Sequence, residues 1–206
     1  MVFGKAIHHY RFPGKVASAS CAGGVLRDEN RNWEMKNMSV AFVPVTTGEQ
    51  VTELCALARE IWEEHFTPII GAEQVEYMLL KFQSVPAVTA QLARGYRYFL
   101  FKEGGETVGY TGIEGQEGRL FLSKLYIRRE SRGKKYASRA VQFLCGLCRE
   151  EGLSSIWLTV NRHNDRTIAI YKKLGFAVTR EQVTDIGNGF VMDDYIMEKP
   201  VEAEPE

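Results

Sequence analysis

Several features are scarce or missing from this sequence. No apolar run approaches the roughly 20 residues that a membrane-crossing helix needs, so no membrane span is expected. Cysteine is rare: the 206 residues contain four, too few and too scattered for a disulfide scaffold. That usage fits a reducing, cytoplasmic setting. Neither sign of charge is in excess. Lys plus Arg number 26 and Asp plus Glu number 26, a balance that offers no basic face for nucleic acid or a membrane surface. Internal repeats are absent. His163 stands near Asp165 and His65 stands alone, so no metal-ligand set is expected.

The first 37 residues differ from the rest. They show no sustained period and hold Gly4, Gly14, Gly23, Gly24 and Pro13. They lack the apolar segment of a secretory signal, and Asp28, Glu29 and Glu34 interrupt the basic residues that a transit peptide would need. Residues 1–37 are expected to be a disordered or non-native extension, with Met38 or Met35 as the true start. The alternative is a short ordered extension packed on the domain. Residues 38–200 are expected to form one domain and 201–206 a disordered tail.

Periodicity divides the domain into mixed α/β elements. Val40 to Val45 reads as a strand. Thr47 opens a helix with Gln50 three residues on, a capping-box pattern, and Val51, Leu54, Cys55, Ala58, Ile61 and Trp62 follow at helical spacing. A loop from His65 to Gly71 is expected next. A second helix carries Val75, Met78, Leu79 and Phe82, and a third begins around Pro86 and ends near Ala93. The period then changes to that of strands: 96–102, 107–114 and 119–127, joined at Gly104-Gly105 and at Gly115 to Gly118, an antiparallel meander. A long helix over 134–151, stopped by Gly152, leads to an apolar strand over 156–160. A helix over 165–174 and strands over 176–180 and 190–198 complete the chain. The strand-helix-strand order requires a crossover and parallel pairing in the second half.

Two stretches carry chemistry. Arg132-Gly133-Lys134-Lys135-Tyr136-Ala137-Ser138 lies between a strand and a long helix. A glycine-containing loop there points backbone N–H groups at whatever sits over the helix N-terminus, and the helix dipole favours a phosphate. Arg128 and Arg129 add positive charge nearby. By itself this loop is also readable as a basic, solvated helix start. The second stretch is Leu158-Thr159-Val160-Asn161, then Asn164 at a helix N-cap position, then Ile168 to Phe176 with Tyr171 about two turns along. By itself it is a capped helix with a core tyrosine. Cys145 and Cys148 have redox spacing but lie within a helix on the apolar face of Val141 and Leu144, where packing is the expected role.

In this order and spacing the two stretches resemble motifs A and B of the GCN5-related N-acetyltransferases (GNAT). Motif A of that family reads Q/R-x-x-G-x-G/A; Arg132 fills its first position, Ala137 its last, and Lys135 replaces the middle glycine. Motif B, N-x-x-A-I-x-x-Y-x-x-x-G-F, is matched by Asn164, Ile168, Tyr171, Gly175 and Phe176, with Thr167 in the alanine slot. The resemblance runs from about Val40 to Lys199. Leu125-Tyr126-Ile127 and the segment Gly187 to Tyr195 are similar, more loosely, to the polyamine-acetylating branch.

The resemblance implies the acyl-CoA N-acyltransferase fold, a mixed and mostly antiparallel central sheet with flanking helices. It implies acetyl-CoA as cosubstrate, without a metal. The diphosphate would lie on Arg132, Gly133, Lys134, Lys135, Tyr136, Ala137 and Ser138, with Asn164 nearby. The backbones of Leu125 and Ile127 would hold the pantetheine arm. Tyr171 would protonate the leaving thiolate.

A thioester is already activated, so an amine attacks it directly once it is neutral. An alkylamine of pKa about 10.4 is neutral only about once in two thousand molecules at pH 7, so a base is needed. Many family members carry a glutamate on the strand entering motif A, where this sequence reads Leu122-Ser123-Lys124. Glu114 is the nearest carboxylate in sequence and the expected base, with Asp193, Asp194 and Tyr195 behind it. The expected acceptor is a small-molecule amine, a polyamine in the narrower reading. Glu60, Glu63, Glu64, Glu73 and Glu76, with Asp193 and Asp194, would then form an acidic wall. Two alternatives stay open: a protein or peptide N-acetyltransferase, and a non-catalytic acyl-CoA-binding module. A homodimer is compatible with the sequence.

Overall fold

The computed structural model describes residues 40–202. The extension at 1–37 and the last part of the expected tail, 203–206, lie outside the described residues. Val201 is bonded to the domain: its N–H donates to the Ser154 carbonyl at 2.9 Å.

Seven strands form one sheet: β1 Ala41–Pro44, β2 Arg97–Glu103, β3 Glu106–Gln116, β4 Arg119–Ile127, β5 Ser155–Asn161, β6 Ala177–Gly187 and β7 Phe190–Pro200. Their spatial order is β1-β2-β3-β4-β5-β7-β6. Every adjacent pair is antiparallel except β4 and β5. This is the mixed α/β architecture expected. The hairpins β2–β3, β3–β4 and β6–β7 each turn on two residues of positive φ, Gly104-Gly105, Glu117-Gly118 and Asn188-Gly189. That geometry matches the twist of the strands it joins.

Five α-helices flank the sheet: α1 Gly48–Ile70, α2 Ala72–Phe82, α3 Val85–Ala93, α4 Tyr136–Glu151 and α5 Asp165–Lys173. Helices α1 and α3 cover one face, with Leu54, Ala58, Ile61 and Val88 against Tyr98, Leu100 and Tyr110. Helices α4 and α5 cover the other, with Val141, Leu144, Cys148 and Ile168 against Ile113, Leu122, Ile156 and Leu158. Among the described residues no helix is long and apolar enough to cross a membrane.

The capping box forms: the Gln50 N–H bonds to Thr47 Oγ1, and Gln50 Oε1 accepts from the Thr47 N–H at 3.0 Å. The loop expected at His65 to Gly71 does not form. Helix α1 continues through it with Pro68 inside, and only Gly71, at φ +82°, separates α1 from α2. Pro68 lacks an N–H to bond the Glu64 carbonyl. It sits in the last turn, however, so little helix remains to be broken, and the Gly71 N–H still bonds to the Thr67 carbonyl at 3.0 Å. Strand β6 is also longer than the expected 176–180. It is an edge strand exposed over most of its length, so its polar run Thr179-Arg180-Glu181-Gln182 has no buried face to create an alternating pattern.

Candidate active site

The parallel pair β4–β5 is joined at two positions only, Leu120↔Ile156 and Phe121↔Trp157. Beyond them Leu122 to Ile127 on β4 and Leu158 to Asn161 on β5 have no mutual pairing, because the strands diverge. On its other side β4 stays paired with β3 up to Gly109↔Ile127. The direction of its amides follows from two bonds. The Arg128 N–H reaches the Val108 carbonyl on the β3 side at 2.9 Å. From the opposite side Arg132 Nε donates to the Ile127 carbonyl at 3.1 Å. Amide direction alternates along a strand. The N–H groups of Leu125 and Ile127 therefore point into the gap between β4 and β5.

The Arg132 to Ser138 stretch follows directly. A 3-10 turn over Arg129–Ser131 leads into it. Gly133 has φ +86° and Lys135 φ +63°. Alternation of such residues turns successive N–H groups to one side and makes an anion-binding concavity. The expected helix start at Lys134 moves to Tyr136, because Lys135 occupies the left-handed region at the N-cap without a side-chain cap bond. The motif position that a glycine fills elsewhere thus keeps a glycine's conformation here, at a strain of about 1–2 kcal/mol. The first bonded amide of α4 is Arg139, to the Lys135 carbonyl at 3.0 Å, so the N–H groups of Tyr136, Ala137 and Ser138 lack helical acceptors. The Tyr136 side chain is core, packed with Val40, Phe101, Val108 and Ala140, and only its backbone faces the loop. Lys134 and Lys135 are exposed.

Helix α5 borders the gap on the α4 face. Asn164 caps it, its Oδ1 accepting from the Thr167 N–H at 3.3 Å. Tyr171 is buried, with its ring 5.3 Å from that of Phe176 in an edge arrangement, and burial raises its pKa. On the opposite face the end of α1 stands over Tyr126: the rings of Trp62 and Phe66 lie 5.8 and 6.1 Å from it. His65 is held below its ordinary pKa by burial and then by the nearby charge of Arg132, which places the end of α1 beside the loop.

Glu114 lies apart from these groups. Its β4 partner is Phe121, at the closed base of the gap. Leu125 is four residues further along, a rise of about 10–13 Å. Glu114 is on the α1 face, accepting from Gln116 Nε2 and bonded to Tyr96. Beside it the register of β3 and β4 slips between Gly112 and Ile113, which leaves Ser123 as a bulge. The bulge sends Lys124 into the interior. Gly112 leaves room for this packing, since a Cβ there would lie 2.6 Å from the Tyr98 ring. Lys124 Nζ lies 2.7 Å from Tyr98 Oη, 3.0 Å from Gln91 Oε1 and 3.4 Å from Ser123 Oγ. Burial pushes its pKa down to about 7. A bulge depends on pairing register, and nothing in the sequence around Ser123 signals it.

The expected acidic wall is largely neutralised. Arg59 pairs with Glu63 and Glu76, Arg128 with Glu60, Arg129 with Glu64, and Arg162 with Asp193. Asp194 differs: it is 3% exposed and its Oδ1 has no hydrogen-bond partner among the described residues.

Residues 54–176 match the model of the acetyltransferase (GNAT) family. Among solved structures, the chain is similar to the PaiA N-acetyltransferase of Thermoplasma acidophilum in complex with coenzyme A. Identity is 22% and the TM-score 0.67, covering 79% of this chain and 99% of that one. An acetyltransferase from Thermus thermophilus gives 22% identity and a TM-score of 0.57, covering 79% and 97%. A chimera of the Vibrio cholerae spermidine N-acetyltransferase SpeG and hSSAT gives 16% and 0.55, covering 78% and 94%. None of the curated proteins matches the chain in sequence.

Proposed function

Since the chain belongs to the GNAT acetyltransferase family and is an acetyl-CoA-dependent N-acetyltransferase, we propose that the gap between β4 and β5 is its transfer site and that the acceptor is the primary amine of a small cationic molecule. The carrying observation is the conjunction of two sets of unpaired amides. Those of Leu125 and Ile127 face the gap, and those of Tyr136, Ala137 and Ser138 stand at the start of α4 beside it. One set suits an extended amide-containing arm and a thioester carbonyl; the other suits a diphosphate.

The residues divide the work by position. The loop from Arg132 to Ser138 binds phosphate through its backbone, with Lys134 and Lys135 adding charge. Asn164 orients α5 by capping it. Tyr171 holds a proton for the leaving sulfur, and its burial keeps it protonated at neutral pH. A small acceptor is favoured over a peptide because α1 runs unbroken to Ile70 and sets Trp62, His65 and Phe66 over Tyr126, which narrows the approach. A polyamine is the narrower form of this reading, but the ion pairs made by the α1 and α2 glutamates remove most of the surface charge that would select one.

The cofactor end of the reading is tested by reversing charge at Lys134 and Lys135 together. The Kd for coenzyme A, measured by calorimetry, should rise about tenfold or more at low ionic strength and by less in high salt, because exposed charges are screened. An unchanged Kd at both salt concentrations would place the diphosphate elsewhere.

A further inference from the structure

Asp194 sits on β7 opposite Asn161, at the tip of β5. The level of this position along the gap can be read from the register. Trp157 of β5 pairs with Phe121 of β4. Asn161 is four residues beyond Trp157; on β4 the bulge at Ser123 adds a residue, so the position four pairs beyond Phe121 is Tyr126. Asp194 therefore lies across the open end of the gap at the level of Tyr126, next to Leu125 and Ile127, whereas Glu114 is back at the base. Its side chain is on the α1 face, the same side as Ile196, which packs with Phe121 and Trp157. Tyr126 feels its charge, so the carboxyl and the phenol are near neighbours.

Among the described residues, the charged and titratable groups around it begin with Asp193, which precedes it on β7. Asp193 is occupied by Arg162, whose other partners are Glu181 and Tyr195, the residue that follows Asp194. Asn161 and Gln182 are its register partners on β5 and β6. Tyr126 comes from β4, with Tyr171 of α5 close behind it. A carboxylate 3% exposed whose Oδ1 has no partner among the described residues is a buried acceptor without a donor there, which is costly unless something else supplies one. Burial pushes its pKa up to about 6, close to the value suited to a base working at neutral pH.

We propose that Asp194 is the general base of the reaction: its unpaired oxygen receives the ammonium of the acceptor and takes one of its protons before attack. The inference rests on the reading of the gap as the transfer site. The acceptor ammonium carries three protons. The first passes to Asp194 and then to solvent, leaving a lone pair on nitrogen. Nitrogen attacks the thioester carbonyl, a C–N bond forms and the C–S bond breaks with its electrons on sulfur. The second proton ends on the thiol: Tyr171 gives its proton to sulfur and regains one from the attacking nitrogen. The third stays on the amide.

The test is Asp194→Asn, which keeps the shape, assayed across pH with alkylamines and with weakly basic amines of pKa near 6. Asp194→Asn should lower kcat/KM for an alkylamine at pH 7 by about 10²–10⁴-fold. Its Kd for coenzyme A should not change, and the loss should shrink above pH 9. With the weakly basic amine, already neutral at pH 7, the variant should approach the parent. Equal losses for both amines would mean a structural role and overturn the proposal. If Asp194→Asn does not fold, the parent decides: kcat/KM for total alkylamine must rise through an acid limb near pH 6 and then level off, and a profile that keeps rising tenfold per pH unit to pH 9 overturns the proposal. A parent that acetylates no small amine would instead overturn the reading of the acceptor, a separable outcome.

Discussion

Tyr171→Phe should lower kcat by about 10²–10⁴-fold, with the Kd for acetyl-coenzyme A and the melting temperature close to the parent values. The substitution keeps the ring that packs on Phe176 and lies within the core of Leu158 and Ile168; only the hydroxyl is lost. A thiol of ordinary pKa about 8.5 is a poorer base than a phenolate of about 10, so proton donation by tyrosine is mildly uphill in water. Burial raises the phenol, and the same dry surroundings raise the thiol, so the match between them persists. A rate within twofold of the parent would show that another group protonates sulfur.

The second large effect is on stability and belongs to Lys124. Burial holds the folded Lys124 ammonium at a pKa of about 7, below the ordinary lysine value of 10.5. Between these values the unfolded chain holds a proton that the folded chain does not, so stability rises with pH. The gain starts near pH 7 and approaches about 1.4 kcal/mol per pH unit. Cys55 and Cys148, pushed by burial up to about 11 and about 12, act in the opposite sense above pH 9, which confines the clean window to pH 7–9. Urea unfolding should therefore show the parent gaining about 2–3 kcal/mol across that window. Lys124→Met should remove most of that slope, while Tyr98 still donates to Gln91 Oε1. Parallel pH curves for parent and variant would mean that Lys124 stays protonated, held by Tyr98, Gln91, Ser123 and the faces of two tyrosine rings.

Much of the fold was legible in local patterns. The bounds of β4, the capping box at Thr47 and the faces of α1 and α2 follow from spacing and side-chain chemistry, which act over a few residues. The discrepancies are tertiary in origin. A loop is expected over His65 to Gly71, yet α1 runs through it and absorbs Pro68 in its last turn. Strand β6 hides because an edge strand exposed on both faces has no reason to alternate. The same division runs through the candidate site. Tyr171 and the loop proposed to bind phosphate are picked out by motif and spacing, whereas Lys124 depends on a bulge at Ser123. In the sequence Asp194 stands behind Glu114 as a base candidate, on a level with Asp193 and Tyr195. Its distinction comes from register, which sets it level with Tyr126, and from the arginines that occupy its competitors. Lys135 is a middle case: the missing glycine was readable, but the left-handed backbone that it retains was not.

Free thiol released from acetyl-coenzyme A is the most direct measure of acetyl transfer through the β4–β5 gap to a small cationic amine, the function proposed for this chain. The acceptors should include an alkyl monoamine, spermidine, a neutral amino-acid amide and short peptides. Thiol release should depend on the acceptor and be about tenfold or more faster with the small cationic amines than with peptides. A difference of that size corresponds to about 1.4 kcal/mol in transition-state binding. Release that requires a peptide, with none from any small amine, would contradict the account.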